Sequence, residues 1–323
     1  MRYLATGTAK QISKIGLGTW QFGSKEWGYG DPYADQESHA IVRRALQLGV
    51  TLFDTAEIYG YGRSERILGR ALGEDLDSVF LATKILPVLP LAPVVEQRAV
   101  ASANRLGARH LDLYQMHQQN PVVRDGPAMR GMRALQRVGL VGEVGVSNYS
   151  LDRWRAAEAA LGGPVLSNQV QYNLVERAPE RDLLPYAEAE GRVIIAYSPL
   201  AQGLLSGRYH RDNLPANRVR GANPLFLPEN IERASDLIGV LRGVADAHAA
   251  TPAQIALAWV IRSPAVTAIP GASSVEQLES NVAAADIDLS DDEDQALRSA
   301  SDRFQPLTGP GLLPRLLRAR FGR

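Results

Sequence analysis

The stretch TLFDTAEIYG, residues 51–60, decides how this chain is read. Leu52 and Phe53 make an apolar run that stops on Asp54, and Tyr59 follows five residues later, against Gly60. The run reads as a short buried strand. A carboxylate at its end is costly beside a core unless something pairs with it. Similar runs recur: KIGLGT (14–19), VFLATK (79–84), LDLYQMH (111–117), EVGVSN (143–148), VLSNQVQ (165–171), VIIAYS (193–198) and VTAIPG (266–271). With TLFDT (51–55) they make eight. Continuous apolar runs suit parallel strands covered on both faces.

The segments between them read as helices. In DQESHAIVRRALQLG, Ile41, Ala45 and Leu48 fall on one face. RSERILGRALG offers Ser64 as an N-cap and Gly73 as a stop. Ser150 caps a helix that ends at Gly162–Gly163, and Thr251 caps one with Pro252 in its first turn. Eight strands alternating with helices give an α/β fold, a (β/α)8 TIM barrel, as one domain over residues 1–323. A doubly wound sheet would want a phosphate fingerprint after its first strand, and GLGTWQ (16–21) lacks the third glycine. MRYLATGTAKQISK is expected to form an N-terminal β-hairpin closing the barrel bottom. An extra C-terminal helix is expected, with residues 305–323 as a basic tail that shapes the pocket or moves.

Lys plus Arg is 35 and Asp plus Glu is 35, so no net charge marks a nucleic-acid partner. The chain has no cysteine, which excludes disulfides and thiolate chemistry. The N-terminus lacks a signal-peptide apolar region, and no apolar run approaches the roughly 20 residues that span a bilayer. A cytoplasmic protein with no membrane contact is the resulting expectation. The sequence leaves the oligomeric state open.

In a barrel the strand C-termini converge on one mouth, where catalytic groups sit. The second run ends at Asp54, the third at Lys84, the fourth at His117 and the fifth at Ser147–Asn148. The sixth carries Asn168, Gln169 and Gln171, and the seventh ends at Tyr197. Singly, each has a plain reading. A strand-end Asp or Asn often makes a turn or cap, and a lone Lys is commonly a solvated charge. Asp, Lys and His on three successive core strands do not fit solubility, because they point into a partly desolvated mouth. A metal centre is disfavoured, since the five His (39, 110, 117, 210, 248) lack ligand spacing. No G-x-S-x-G elbow and no second strand-end carboxylate support a hydrolase. A Lys ammonium beside Tyr59 favours the phenolate, Asp54 keeps that Lys charged, and His117 orients a shared oxygen. Together they make a general acid suited to a carbonyl oxygen that receives hydride at its carbon.

The chain resembles the aldo-keto reductase superfamily along nearly its whole length. LFDTAEIYG, ATK, LYQMH, GVSNY, NQVQYN, AYSPLAQGLLSG and IPGASSVEQLESN stand in that family's order and spacing. The resemblance implies a barrel that binds NADP(H), with NAD(H) as the alternative, and Tyr59 as general acid in a tetrad with Asp54, Lys84 and His117. It implies Ser147, Asn148 and Gln169 at the carboxamide and Tyr197 stacked on the nicotinamide. Ser198, Leu200, Gln202, Gly203, Leu204 and Ser206 match the loop near the pyrophosphate. Gly271, Ala272, Ser273, Gln277 and Asn281 match the segment at the adenosine end. GASSVEQ departs from many members in lacking Lys or Arg for the 2′-phosphate, leaving Ser273 and Gln277 as neutral partners. Trp20, Phe22, Trp27 and Tyr29 follow the first strand; Trp20 and Trp27 are assigned to a substrate pocket for a small carbonyl compound. The same resemblance admits a second class, a cofactor-sensing regulatory subunit like the potassium-channel β-subunits, with little turnover.

Overall fold

The structure, a computed structural model, describes residues 1–24, 32–215, 218–309 and 312. Eight strands appear where the apolar runs lie: β1 (Leu17–Gly18), β2 (Leu52–Asp54), β3 (Phe80–Ile85), β4 (Leu111–Met116), β5 (Val141–Ser147), β6 (Ser167–Gln171), β7 (Val193–Tyr197) and β8 (Val266–Ala268). They pair in sequence order, every neighbour parallel. A parallel bridge between Ile15 and Ala268 joins the last strand back to the first and curls the sheet into a barrel. The crossovers include α1 (Pro32–Gln47), α2 (Arg63–Leu72), α3 (Ala92–Leu106), α4 (Gly126–Arg137), α5 (Leu151–Leu161) and α6 (Leu183–Glu190). Between β7 and β8 lie α7 (Arg218–Gly221), α8 (Pro228–Arg233), α9 (Ser235–Ala247) and α10 (Pro252–Val260). After β8 come α11 (Val275–Ala283) and α12 (Asp291–Arg303).

Strand alternation explains how one sequence fills a core and builds a mouth. Side chains two apart share a face. Leu52, Phe80, Ala82, Leu113, Val193 and Ile195 form an apolar cluster inside the barrel. The next residue on each of those inner rows is polar: Asp54 after Leu52, Lys84 after Ala82, Gln115 after Leu113, Tyr197 after Ile195. Each inner row is therefore apolar at the bottom and chemical at the top. The residues between those of the inner rows, Phe53, Leu81, Tyr114 and Ile194 among them, pack outward against the helices in the larger cluster.

The caps at Ser150 and Thr251 form, Thr251 in a reciprocal box with Gln254; Gly162 ends its helix in the left-handed conformation, and Gly73 ends its own with a positive φ of 56°. Ser64 is a correction. Gly62 precedes α2 as its cap, while Ser64 lies inside the helix, wholly buried. Its hydroxyl donates to Thr19 O at 2.7 Å and meets the Thr19 and Thr55 hydroxyls at 2.8 and 2.9 Å. It pins the first turn of α2 to β1 and β2.

The expected N-terminal hairpin is reduced to one antiparallel bridge, Tyr3 with Ser13. Backbone bonds from Leu4 N to Ile12 O and from Lys14 N to Arg2 O flank it, both 2.8 Å. No ladder extends beyond them; Leu4 and Ile12 close the barrel floor with side chains, buried in the inner cluster. The last helix of the described residues is α12, capped by Ser290 and Glu293; the C-terminal helix expected in the tail falls on residues outside them. The basic stretch of the tail, residues 313–323, lies outside the described residues. Among the described residues no helix is long and apolar enough to cross a membrane. Nor, among them, does any group of three or more His, Asp or Glu stand ready for a metal.

Candidate active site

The ends of β2 and β3 meet at a buried ion pair. Lys84 Nζ donates to Asp54 Oδ1 at 2.6 Å, to Thr55 O at 2.8 Å and to Tyr59 Oη at 3.3 Å, which uses all three ammonium protons. Asp54 and Lys84 are 1% and 0% exposed. The other carboxylate oxygen, Asp54 Oδ2, accepts from Gln169 Nε2 at 2.8 Å and Gln115 Nε2 at 3.3 Å. The apolar run thus ends on a carboxylate because that carboxylate neutralises a lysine that has no other counter-charge in contact among the described residues.

Tyr59 arrives over this pair by way of a tight turn. Its N–H donates to Ala56 O at 3.1 Å, and Gly60 takes a left-handed φ of 58°. The turn lies so close to Gly23 that a Cβ there would fall 2.6 Å from the Tyr59 carbonyl oxygen. His117, just past β4, meets the Tyr59 ring edge to face, centroids 5.7 Å apart.

Burial and charge set the protonation states. Burial pushes the Tyr59 phenol above its usual value; Lys84 works against this and Asp54 adds to it. The lysine's lowering influence is present, as the residue types imply, but burial outweighs it. The phenol is therefore held as an acid at neutral pH. Burial pulls Lys84 down, but Asp54 and Tyr59 more than offset it, so its ammonium is held above the ordinary lysine value. His117 is pulled down to about 3 by burial and by the Lys84 cation. Its imidazole is neutral at pH 7, and its buried Nδ1 has no hydrogen-bond partner among the described residues.

Above these groups opens a cavity of about 420 Å³. Asp54, Tyr59 and His117 line its floor, with Lys84 sealed beneath. Ser147, Asn148, Gln169, Tyr197, Ser198, Leu200, Gln202, Gly203, Gly271, Ala272, Ser273 and Gln277 line the same space. Ser147 Oγ donates to Gln169 O at 2.9 Å, and Tyr197 Oη donates to Asn148 Oδ1 at 3.0 Å, across the register that sets Ser147 beside Gln169 and Gln171 beside Tyr197. Asn148, Ser198 and Gln202 all have left-handed backbone, φ 59°, 48° and 56°. Such strain collects at binding sites.

Three expected residues stand behind the lining. Leu204 is 1% exposed in the core, Ser206 Oγ donates to Gly203 O at 2.6 Å, and Asn281 Nδ2 donates to Gly271 O at 3.3 Å. Each supports a segment that does line the cavity. Ser273 N and Oγ both donate to Gln277 Oε1, at 2.8 and 2.9 Å, so these two neutral groups bond each other. Trp20 lines the cavity, 43% exposed, whereas Phe22 is wholly buried. Trp27 and Tyr29 lie outside the described residues.

Three site residues escape the sequence reading. Gln115 shares the inner row with His117, and that alternation is the signal that could have found it. Gln21 Nε2 donates to Ala272 O at 2.8 Å and packs over Gly271, where a Cβ would meet it. Arg220, from α7, brings a guanidinium to the cavity, with Nε donating to Gln202 O at 2.8 Å. Nothing in its local sequence marks it.

Residues 14–302 match the Aldo/keto reductase family. An uncharacterized oxidoreductase of Mycobacterium tuberculosis is 55% identical over 323 residues, all of both chains. The NADH-specific methylglyoxal reductase of Escherichia coli is 30% identical over 329 aligned residues, 94% of this chain and all of that protein. Among solved structures, an aldo/keto reductase from Klebsiella pneumoniae in complex with NADP and acetate superposes with a TM-score of 0.74 at 30% identity, covering 95% of this chain and 96% of that one.

Proposed function

The chain belongs to the aldo/keto reductase family, and on that premise we propose that it is an NADP(H)-dependent oxidoreductase that reduces the carbonyl of a small aldehyde or ketone to an alcohol. One observation carries the reading. A buried, protonated phenol sits 3.3 Å from a lysine ammonium at the floor of an open cavity, with a neutral imidazole beside it.

In this reading Tyr59 is the general acid, and its Oη gives its proton to the carbonyl oxygen as charge develops there. Lys84 stabilises the phenolate left behind. Asp54 keeps Lys84 charged, and Gln169 and Gln115 hold Asp54. His117, neutral at working pH, orients the carbonyl oxygen by hydrogen bonding. Trp20 offers an apolar wall to the substrate.

The cavity's donor set fits a nicotinamide dinucleotide. When bound, its reduced ring supplies the hydride. Ser147, Asn148 and Gln169 would hold the carboxamide, and the Tyr197 ring offers an aromatic platform. Gln202, Gly203 and Arg220 would meet the phosphates, Arg220 with a charge that GASSVEQ lacks. The N-terminus of α11, opened by the Ser274 cap, adds backbone donors at the far end. NADP in the Klebsiella structure favours NADP(H); the relative named as NADH-specific makes NAD(H) the competitor.

The test is a titration of the purified protein with NADPH and, separately, NADH, following tryptophan quenching. Tight NADPH and weak NADH binding supports the assignment. Equal affinities move the cofactor to NAD(H), and no binding of either removes the oxidoreductase reading.

A further inference from the structure

Glu57 lies two residues before Tyr59 and is tied twice to the strand that carries Lys84. Its backbone N–H donates to Lys84 O at 3.2 Å. Its side-chain Oε1 accepts from Leu86 N–H at 2.6 Å. Arg98, from α3, closes the arrangement. Its Nε donates to Glu57 Oε2 at 2.9 Å, a second N–H donates to Oε1, and Nη1 donates to Leu86 O at 2.9 Å. The Glu57 and Arg98 side chains are 11% and 26% exposed. A two-pronged guanidinium–carboxylate pair has a fixed fork geometry, and partial burial spares it much of the solvent screening. Neither residue lines the cavity.

Beyond Glu57 the turn packs on Gly23 and bonds its backbone within itself and to α2, not to β3. Tyr59 N–H bonds within the turn, its carbonyl accepts from Ser64 N–H at 3.2 Å, and Tyr61 is 86% exposed. Thr55 N–H fixes the chain to Ala82 O at 2.9 Å before the turn, and Glu57 carries that register past Lys84 to Leu86.

We propose that Glu57, held by Arg98, is a positioning residue that locks the turn carrying Tyr59 onto the end of β3 and so sets the contact between Tyr59 and Lys84. This rests on the function proposed above only for its kinetic consequence; the geometric claim stands apart from it. Glu57 touches neither the cavity nor the reacting atoms, so its loss acts on the proton-donating step and spares the binding of cofactor.

The test uses the full-length protein and the variants Glu57→Ala and Glu57→Gln. NADPH affinity is measured by fluorescence, kcat and KM with 4-nitrobenzaldehyde, and the Tyr59 environment by NMR of ring-labelled tyrosine, its signal identified by its loss in Tyr59→Phe. For Glu57→Ala the expected result is a kcat reduced about tenfold or more, with NADPH affinity within about twofold of the parent and a displaced Tyr59 signal. Glu57→Gln keeps the acceptor for Leu86 N–H and recovers most of the rate and the parent signal. A Glu57→Ala protein with parent kcat and parent Tyr59 signal overturns the proposal. So does equal loss of rate, affinity and folded fraction with the Tyr59 signal unmoved, which marks a merely structural pair. If Glu57→Ala does not fold, Glu57→Gln against Arg98→Lys reads the same signal. If the parent neither binds NADPH nor reduces the aldehyde, the reductase assignment fails while the NMR comparison still decides whether Glu57 places Tyr59.

Discussion

Lys84 Nζ lies 2.6 Å from Asp54 Oδ1, and both groups are shut off from solvent. Neither charge is tolerable there alone. Removing one partner of a buried pair leaves the other unpaired, which costs about 3–5 kcal/mol. Lys84→Met is therefore expected to lower the unfolding free energy by about that much. Asp54→Asn in the same chain is expected to restore a large part, because it removes the stranded charge. Denaturant unfolding of the two proteins measures the difference. Equal stabilities would mean that the pair is not coupled as the geometry implies.

His117 makes acid stability steeper. The unfolded imidazole takes up a proton near pH 6.5, the folded one only near pH 3. Between those values the unfolded chain binds more protons, so stability falls as pH drops through the window, by on the order of a few kcal/mol in total. His117→Gln is expected to flatten that slope, read from urea midpoints at pH 6.5, 5.5 and 4.5. A slope equal to the parent's would place the burial cost elsewhere.

Gly23 is required by the approach of the Tyr59 turn. A methyl at this position meets the backbone of Tyr59 and Gly60, which cannot move as a side-chain tip can. Overpacking of this kind costs about 1–3 kcal/mol. Gly23→Ala is expected to lose stability in that range and to lower kcat, since the turn is displaced together with its phenol. Thermal unfolding and steady-state kinetics check both; full activity would show that the loop yields without moving Tyr59.

Arg220 meets the cavity beside Gln202 and Gly203, the segment assigned to the pyrophosphate. Pyrophosphate is common to both dinucleotides. A hydrogen bond to a charged group contributes about 1.5–3 kcal/mol, so Arg220→Ala is expected to weaken NADPH and NADH alike, by about tenfold or more. A loss confined to NADPH would move Arg220 to the 2′-phosphate.

The parts of the fold that obey periodicity were legible in advance. All eight strands lie within or beside the apolar runs, because a strand covered on both faces has little choice of residue. Asp54, Lys84 and His117 were visible as polar ends of those runs. What escaped depends on long-range contact. Ser64 looks like a cap by type, yet its hydroxyl is drawn inward by Thr19 and Thr55, some 45 and 9 residues away in the chain. Arg220 reaches the cavity from α7, a single turn set in the long connection after β7 and too short for a sequence period to show which way its side chains point. Phe22 and Trp20 sit two apart in one aromatic loop, and only packing sends the first into the core and the second to the cavity.

The proposed function stands on Tyr59 giving the proton that completes carbonyl reduction. Single-turnover oxidation of bound NADPH by 4-nitrobenzaldehyde, followed at the reduced-nicotinamide absorbance in the parent and in Tyr59→Phe, tests it most directly. NADPH affinity is expected to be unchanged and the rate to fall about 10²–10⁴-fold in the variant, the span of a lost general acid. A variant that turns over at the parent's rate, or a parent that oxidises no NADPH, would contradict it.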